Sequence, residues 1–291
     1  MTPGVKKSPA ATDLTRPLSQ SAAAAPANIA GCMITPIRGA RSLVSLLLVG
    51  LLFLFMSPVL RLVIVPGGWL FPRQRFLLVS AFMKWMSAGI FGLLRLGGVR
   101  ARRVGILPTA SPILVVANHQ ALLDICQITL MAHPRVPAFV TRRRYARFVP
   151  LVSQCIRLLD SPIVDPKHDP QGSLAAVRRA ARDLPHGLVI FPEGHRSHDG
   201  EIRPFRTAGL ETILAERRMP VYLVLNDGAW RVRRLADLLF RASLIDTHSE
   251  VLGPFDPPED AAELGEFIRE LRATLVARLA EARGNGARHA A

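Results

Sequence analysis

Two short segments of this 291-residue chain carry residue types that can move a proton and hold an anion. The first is Asn118-His119-Gln120-Ala121-Leu122-Leu123-Asp124, directly after the apolar run Ile113–Ala117. Five residues on a continuous helix turn through about 500°, so His119 and Asp124 would diverge by about 140°. They meet only if His119 lies in a turn and Asp124 in the first turn of the helix that follows. Asp124 would then fix the tautomer of His119, leaving the other ring nitrogen to take a proton from a substrate hydroxyl. A helix-capping turn with a solvated Asp124 needs the same residues and no function.

The second segment is Phe191-Pro192-Glu193-Gly194-His195-Arg196-Ser197, after the apolar run Gly187–Phe191. Gly194 lets a backbone or ligand approach closely, and Arg196 offers a planar donor fork suited to phosphate. A surface turn with a solvated Glu193–Arg196 pair is the plainer alternative. Both segments follow buried-type strands, and open α/β sheets bind ligands at the carboxyl ends of their strands.

The elements that must position these loops are readable beyond residue 100. Ile113–Ala117, Pro137–Thr141, Ser161–Asp165, Gly187–Phe191 and Val221–Leu225 read as strands. Asp169-Pro170 predicts an N-cap with proline at the first helical position and a helix to about Leu184. Thr207–Arg218 reads as helix. Asp256-Pro257-Pro258-Glu259 resembles a capping box before a long helix whose apolar positions include Leu264, Phe267, Ile268, Leu271, Leu275 and Leu279. This alternation predicts an α/β domain with a largely parallel or mixed sheet flanked by helices, over residues 99–285.

Ahead of it, residues 1–40 read as a disordered tail, with a Ser-, Ala- and Pro-rich stretch from Ser19 to Ala30. Residues 41–98 read as a membrane-associated helical segment. Its run from Leu43 to Leu60 holds eighteen residues without a charge. At about 1.5 Å per residue that is roughly 27 Å, close to the hydrocarbon thickness of a bilayer. Arginines flank the run on both sides, which weakens the positive-inside rule and leaves both a full span and a re-entrant hairpin open, with a buried core helix as the plainer alternative. Phe76–Leu96, interrupted by Lys84 and carrying Trp85, fits a helix lying at the interface.

Composition narrows the function. With 37 Lys and Arg against 22 Asp and Glu, the formal charge is +15, which favours an anionic partner. Arg100, Arg102 and Arg103 form one basic cluster; Arg142, Arg143, Arg144 and Arg147 form another, suited to lipid headgroups, an acidic carrier or coenzyme A phosphates. Nucleic acid fits poorly, because aromatics are only 6% and no nucleic-acid motif is visible. Neither a P-loop nor G-x-G-x-x-G is present. Cys32, Cys126 and Cys155 read as free thiols, and the scattered histidines lack metal-ligand spacing, so no metal is expected.

The two segments together resemble the lysophospholipid and 1-acylglycerol-3-phosphate acyltransferases. NHQALLD is similar to their NHxxxxD box, and FPEGHRS to their FPEGTRS box. Met219–Val224 resembles their proline-containing apolar block, and Phe205–Gly209 a glycine-bearing segment between the two. The resemblance covers about residues 75–255. It implies acyl transfer from acyl-CoA or acyl-carrier protein to a hydroxyl of a lysophospholipid, most simply 1-acylglycerol 3-phosphate, with the donor as substrate and no bound cofactor. It further implies His119 as general base, Asp124 as its orienting partner, and Glu193 and Arg196 on the acceptor. Asn118, Gly194 and Lys167 complete the expected binding set. A thioester is already activated, so no nucleophilic Ser or Cys is needed, and no G-x-S-x-G elbow occurs.

Two positions depart from the family pattern. His195 stands where a threonine is usual, and Pro166 where an arginine ends the intermediate block, with Lys167 one place later. An acceptor such as lyso-ornithine lipid therefore stays open, as does a catalytically silent membrane-binding protein on the same scaffold. The expected setting is a membrane, with the site on the cytoplasmic face of the inner (plasma) membrane.

Overall fold

The computed structural model describes residues 36–148, 151–231, 242 and 245–288. The tail expected over 1–40 lies largely outside them, as does Cys32. The helix α1 (Pro36–Val59) already begins inside the expected tail. Pro36 suits a first helical position, where its missing N–H costs nothing and its φ is preset. Pro58 has the opposite effect near the other end, because a proline inside a helix removes one hydrogen bond and crowds the preceding turn. The chain answers with a π-helical turn, Leu60–Ile64, then resumes as α2 (Val65–Leu70).

After a 3-10 turn at Pro72–Gln74 comes α3 (Arg75–Leu96). It does not simply lie at an interface. Val79, Phe82, Met86, Ile90 and Leu94 are buried, while Trp85 stays exposed. Lys84 Nζ donates to the Pro134 carbonyl at 2.9 Å, and Ser80 Oγ accepts the Val136 N–H at 2.8 Å, so α3 is bonded to the following domain. Small residues bring α1 close: a Cβ at Gly89 would lie 3.1 Å from Leu52, and Ser45 Oγ donates to the Leu93 carbonyl at 2.8 Å. The two helical stretches 37–70 and 72–96 are each long and apolar enough to cross a membrane by length and composition. The first keeps Leu43, Val44, Leu47, Leu51, Leu54 and Phe55 exposed.

The remainder is an α/β domain. Its elements are β1 (Arg100–Val104), β2 (Leu107–Pro108), β3 (Leu114–Ala117), α4 (Leu123–Met131), β4 (Ala132–His133), β5 (Ala138–Phe139), β6 (Thr141–Arg142), α5 (Arg143–Phe148), α6 (Val152–Leu158), β7 (Ile163–Val164), α7 (Pro170–Asp183), β8 (Leu188–Ile190), α8 (Thr207–Glu216), β9 (Val221–Asp227), β10 (Asp246–Phe255) and α9 (Leu264–Arg288). Six strands form one mixed sheet in the order β1-β10-β9-β3-β8-β5. β9, β3, β8 and β5 are parallel, β10 runs antiparallel to β9, and β1 is parallel to β10. The four residues of β3 are fully buried, as a central parallel strand requires, and apolar side chains of α4, α7, α8 and α9 join the same core.

Three expected elements are redrawn. Ser161–Asp165 supplies only β7, which pairs with β6 in a separate ladder and not with the main sheet. Pro162 and Pro166 bracket it, and proline cannot donate to a ladder. The stretch Pro137–Thr141 accordingly splits between β5 and β6. The last helix starts at Leu264 rather than at the Asp256 box. Asp260 supplies the cap instead, accepting the Ala262 N–H at 2.8 Å ahead of a short 3-10 turn. The cap at Asp169 is as expected, with its side chain accepting the Gly172 N–H at 2.8 Å, a contact of about 1 kcal/mol.

Candidate active site

The carboxyl ends of β3, β8 and β9 share one sheet edge, and the loops leaving them interlock there. After Ala117 the chain turns through Asn118–Ala121 before α4 begins, so His119 lies in the turn and Asp124 in the first helical turn. His119 Nδ1 is 2.8 Å from Asp124 Oδ2. The same oxygen accepts the backbone N–H of Gln120 at 2.6 Å and of Ala121 at 2.8 Å. Asp124 is 1% exposed, so one buried carboxylate shapes the turn and aims the ring. A carboxylate only accepts, which puts the proton of neutral His119 on Nδ1 and leaves Nε2 with its lone pair. Among the described residues Nε2 has no partner. The ring stacks on Phe191, with centroids 4.3 Å apart, and its side chain keeps 16% exposure.

Glu193 occupies a place its sequence context did not suggest. It is 2% exposed, and its two oxygens accept the backbone N–H groups of His119 at 2.8 Å and Arg203 at 2.9 Å. Ser197 N–H donates to the His119 carbonyl at 2.7 Å, so the second loop holds both backbone groups of His119. Burial pushes the Glu193 carboxyl above its ordinary range, against the two N–H bonds and the nearby imidazole. Asn118 is likewise buried and committed. Its amide donates to the Asn226 carbonyl at 2.8 Å and accepts the Asn226 N–H at 2.7 Å, tying β3 to β9.

Cationic groups gather around Gly194. Its φ of +73° is the left-handed conformation that glycine tolerates, and a Cβ there would lie 3.2 Å from the Arg206 guanidinium. Arg142, at the end of β6, donates to the Gly194 carbonyl. Arg196 is half-buried and has no side-chain partner among the described residues. His195 is exposed. Lys167 is exposed in the turn before α7 and is not brought into this hydrogen-bonded cluster.

Several participants went unread in the sequence: Phe191 as a stacking surface, Arg142 and Arg206 beside Gly194, and the pair Asn226-Asp227. The available signal was a polar pair ending an apolar strand at the same sheet edge as His119. Asp227 anchors a further layer. Arg283 of α9 donates to both its oxygens, at 3.0 and 2.9 Å, and to the Gly200 carbonyl at 3.0 Å. Gln120 Nε2 reaches Asp227 at 3.3 Å. Burial raises the Asp227 carboxyl, but Arg283 and Gln120 together hold it below its ordinary value.

Replacing Arg283 by Ala is expected to cost about 1–3 kcal/mol at pH 7, less than a fully buried pair because the guanidinium is one-third exposed. A carboxyl with a depressed folded pKa stabilises above its unfolded value and loses that contribution as pH falls through the folded one. Urea titrations of the two proteins should therefore converge below about pH 4.

The arrangement can take a proton from a hydroxyl at Nε2 and hold an anion on free guanidinium groups. Thiolate chemistry is disfavoured at the described cysteines, since burial pushes Cys126 up to about 11 and Cys155 up to about 12.

Residues 99–224 match the protein-family model described as Acyltransferase. A 1-acyl-sn-glycerol-3-phosphate acyltransferase of Cocos nucifera is 28% identical over 126 residues, covering 41% of this chain and 40% of that protein. One of Helicobacter pylori is 29% identical over 125 residues, covering 42% and 50% respectively. The chain's match thus spans half or less of the length of these relatives. In fold, the chain is similar to the crystal structure of the 1-acyl-sn-glycerophosphate acyltransferase of Thermotoga maritima. The TM-score is 0.59 at 24% identity, over 82% of this chain and 97% of that one.

Proposed function

We propose that this chain, whose residues 99–224 form a domain of the acyltransferase family, transfers a fatty acyl group to the hydroxyl of a lysophospholipid. The observation that carries the reading is His119, held by Asp124 with Nε2 unclaimed among the described residues, at a sheet edge where the loop bonded to its backbone carries the uncommitted guanidinium of Arg196. The acceptor hydroxyl gives its proton to Nε2 as its oxygen attacks the thioester carbonyl carbon. The carbon–sulfur bond then breaks, an ester remains, and the proton passes from His119 to the departing thiolate. Asp124 stabilises the imidazolium that forms in between. Arg196, with Arg206 and Arg142 around Gly194, supplies charge for the acceptor's phosphate.

The donor is acyl-CoA or acyl-carrier protein, with no resident cofactor. The simplest acceptor is 1-acylglycerol 3-phosphate, which would yield phosphatidate. The exposed apolar helices keep the enzyme at the bilayer that holds acceptor and product, with the site on the cytoplasmic face of the inner (plasma) membrane. Glu193 and Asn118, assigned to acceptor binding on sequence, serve in this reading as braces of the His119 loop, and Lys167 as a peripheral charge.

Purified protein given labelled acyl-CoA or acyl-carrier protein with 1-acylglycerol 3-phosphate, lysophosphatidylcholine and lyso-ornithine lipid should acylate the phosphate monoester best. Product only with lyso-ornithine lipid would move the acceptor assignment, and no product with any pair would remove the enzyme. Arg196→Ala should raise KM for the phosphate acceptor about 10- to 100-fold, the loss of one charged hydrogen bond, with kcat changed less.

A further inference from the structure

Five arginines converge on a cavity lined by neither His119 nor Arg196. Arg38 and Arg41 of α1, Arg95 of α3, and Arg100 and Arg103 of β1 line a space of ≈ 900 Å³, with Gly92 of α3 in its wall. No carboxylate lines it, and among the described residues none of the five has an acidic partner. Arg41 donates to the Leu96 carbonyl at 3.2 Å; Arg103 donates to Gln127 at 2.9 Å and lies over the Phe91 ring at 5.2 Å. These contacts fix two of the guanidinium groups without neutralising any of them. Five like charges around one cavity repel until an anion enters.

The cavity is separate from the catalytic ring. β1 is the edge strand, three strand spacings from β3, which is about 14 Å. It is bordered instead by the first turns of α1 and the last turns of α3. Leu43, Val44 and Leu47 are exposed on α1 within two turns of Arg41, and Leu96 is exposed next to Arg95. A ligand with a phosphate and long hydrocarbon chains would meet both surfaces, whereas a soluble nucleotide would use only the first.

We propose that this cavity binds the phosphate headgroup of an anionic membrane phospholipid, a lipid other than the reacting one, with its acyl chains along the exposed face of α1. The bound lipid seats the α1–α3 pair at the headgroup level. The binding itself stands on this cavity alone; only the distinction from a reacting lipid rests on the acyl-transfer reading.

The full chain, purified in neutral detergent micelles and offered phosphatidylglycerol or phosphatidylcholine, can be weighed with its bound lipid by native mass spectrometry. Wild type should retain one phosphatidylglycerol at least tenfold more strongly than phosphatidylcholine. A Cβ at Gly92 meets nothing within 4 Å, so Gly92→Phe fills the space without changing charge. It should lower phosphatidylglycerol retention at least tenfold with the melting temperature unchanged, and the double variant Arg41→Gln/Arg95→Gln should do the same. Undiminished retention in Gly92→Phe would reduce the effect to diffuse charge and overturn the proposal. Displacement of the bound lipid by equimolar coenzyme A would also overturn it, assigning the cavity to the donor's phosphates.

Discussion

His119→Ala should lower kcat for acyl transfer by about 10²- to 10⁴-fold, the range of a positioned general base, with little change in thermal stability. The ring is partly exposed and its deletion orphans no buried group other than one face of Asp124. Asp124→Asn should lose nearly as much rate and keep the fold, because an amide oxygen can still accept from Gln120 and Ala121. The same oxygen still accepts from Nδ1, so what Asp124→Asn removes is the negative charge that stabilises the imidazolium formed when Nε2 takes the proton. Asp124→Ala should differ in kind. It strands two buried N–H groups at about 1–3 kcal/mol each, so rate and stability fall together. Stopped or steady-state transfer assays alongside urea unfolding separate the three, and full turnover in His119→Ala would end the mechanism.

Glu193→Ala should be the most damaging change to the framework. Two part-buried backbone N–H groups, on His119 and Arg203, lose their acceptor, which at up to about 1–3 kcal/mol each is a large fraction of a domain's stability. Activity should fall at least as far as in His119→Ala, through displacement of the loop. Glu193→Gln keeps one acceptor and should be milder. Its deficit relative to wild type should shrink as pH rises above about 4, because a carboxyl whose folded pKa is raised contributes most below its unfolded value. Were Glu193 instead an acceptor ligand, the alanine variant would raise KM for the lysolipid and leave the melting temperature alone.

The difference over Glu193 shows where sequence reading stopped. Residue type and spacing located His119 and Asp124, and the helix arithmetic already required a bend between them, which the turn at Asn118–Ala121 supplies. Apolar runs located β3, β8 and β9, because a central parallel strand buries both faces and needs no alternation. Burial of polar groups is what the pattern could not convey. Asn118 and Glu193 look like solvent-facing ligands in a linear string, yet each finds its partners from segments dozens of residues away. β10 escaped notice for the same reason. Its Thr247, Ser249 and Glu250 are buried, which is tolerable only because Ser249 bonds Asn226 and Arg278 of α9 grips both oxygens of Glu250. The run Leu43–Leu60 was legible as apolar, but its continuation to Leu70 depended on a π-helical turn absorbing Pro58.

The most direct test of the account is the protonation of a single ring. Nitrogen-15 spectra of the histidines, assigned by loss of the His119 signals in His119→Ala, report which ring nitrogen carries hydrogen at a pH where the imidazole is neutral. A protonated Nδ1 and a bare Nε2 are expected, kept in Asp124→Asn, whose amide oxygen still faces Nδ1, and lost in Asp124→Ala, which leaves no acceptor there. A neutral His119 carrying its proton on Nε2 would leave nothing to receive hydrogen from an acceptor hydroxyl and would contradict the central claim.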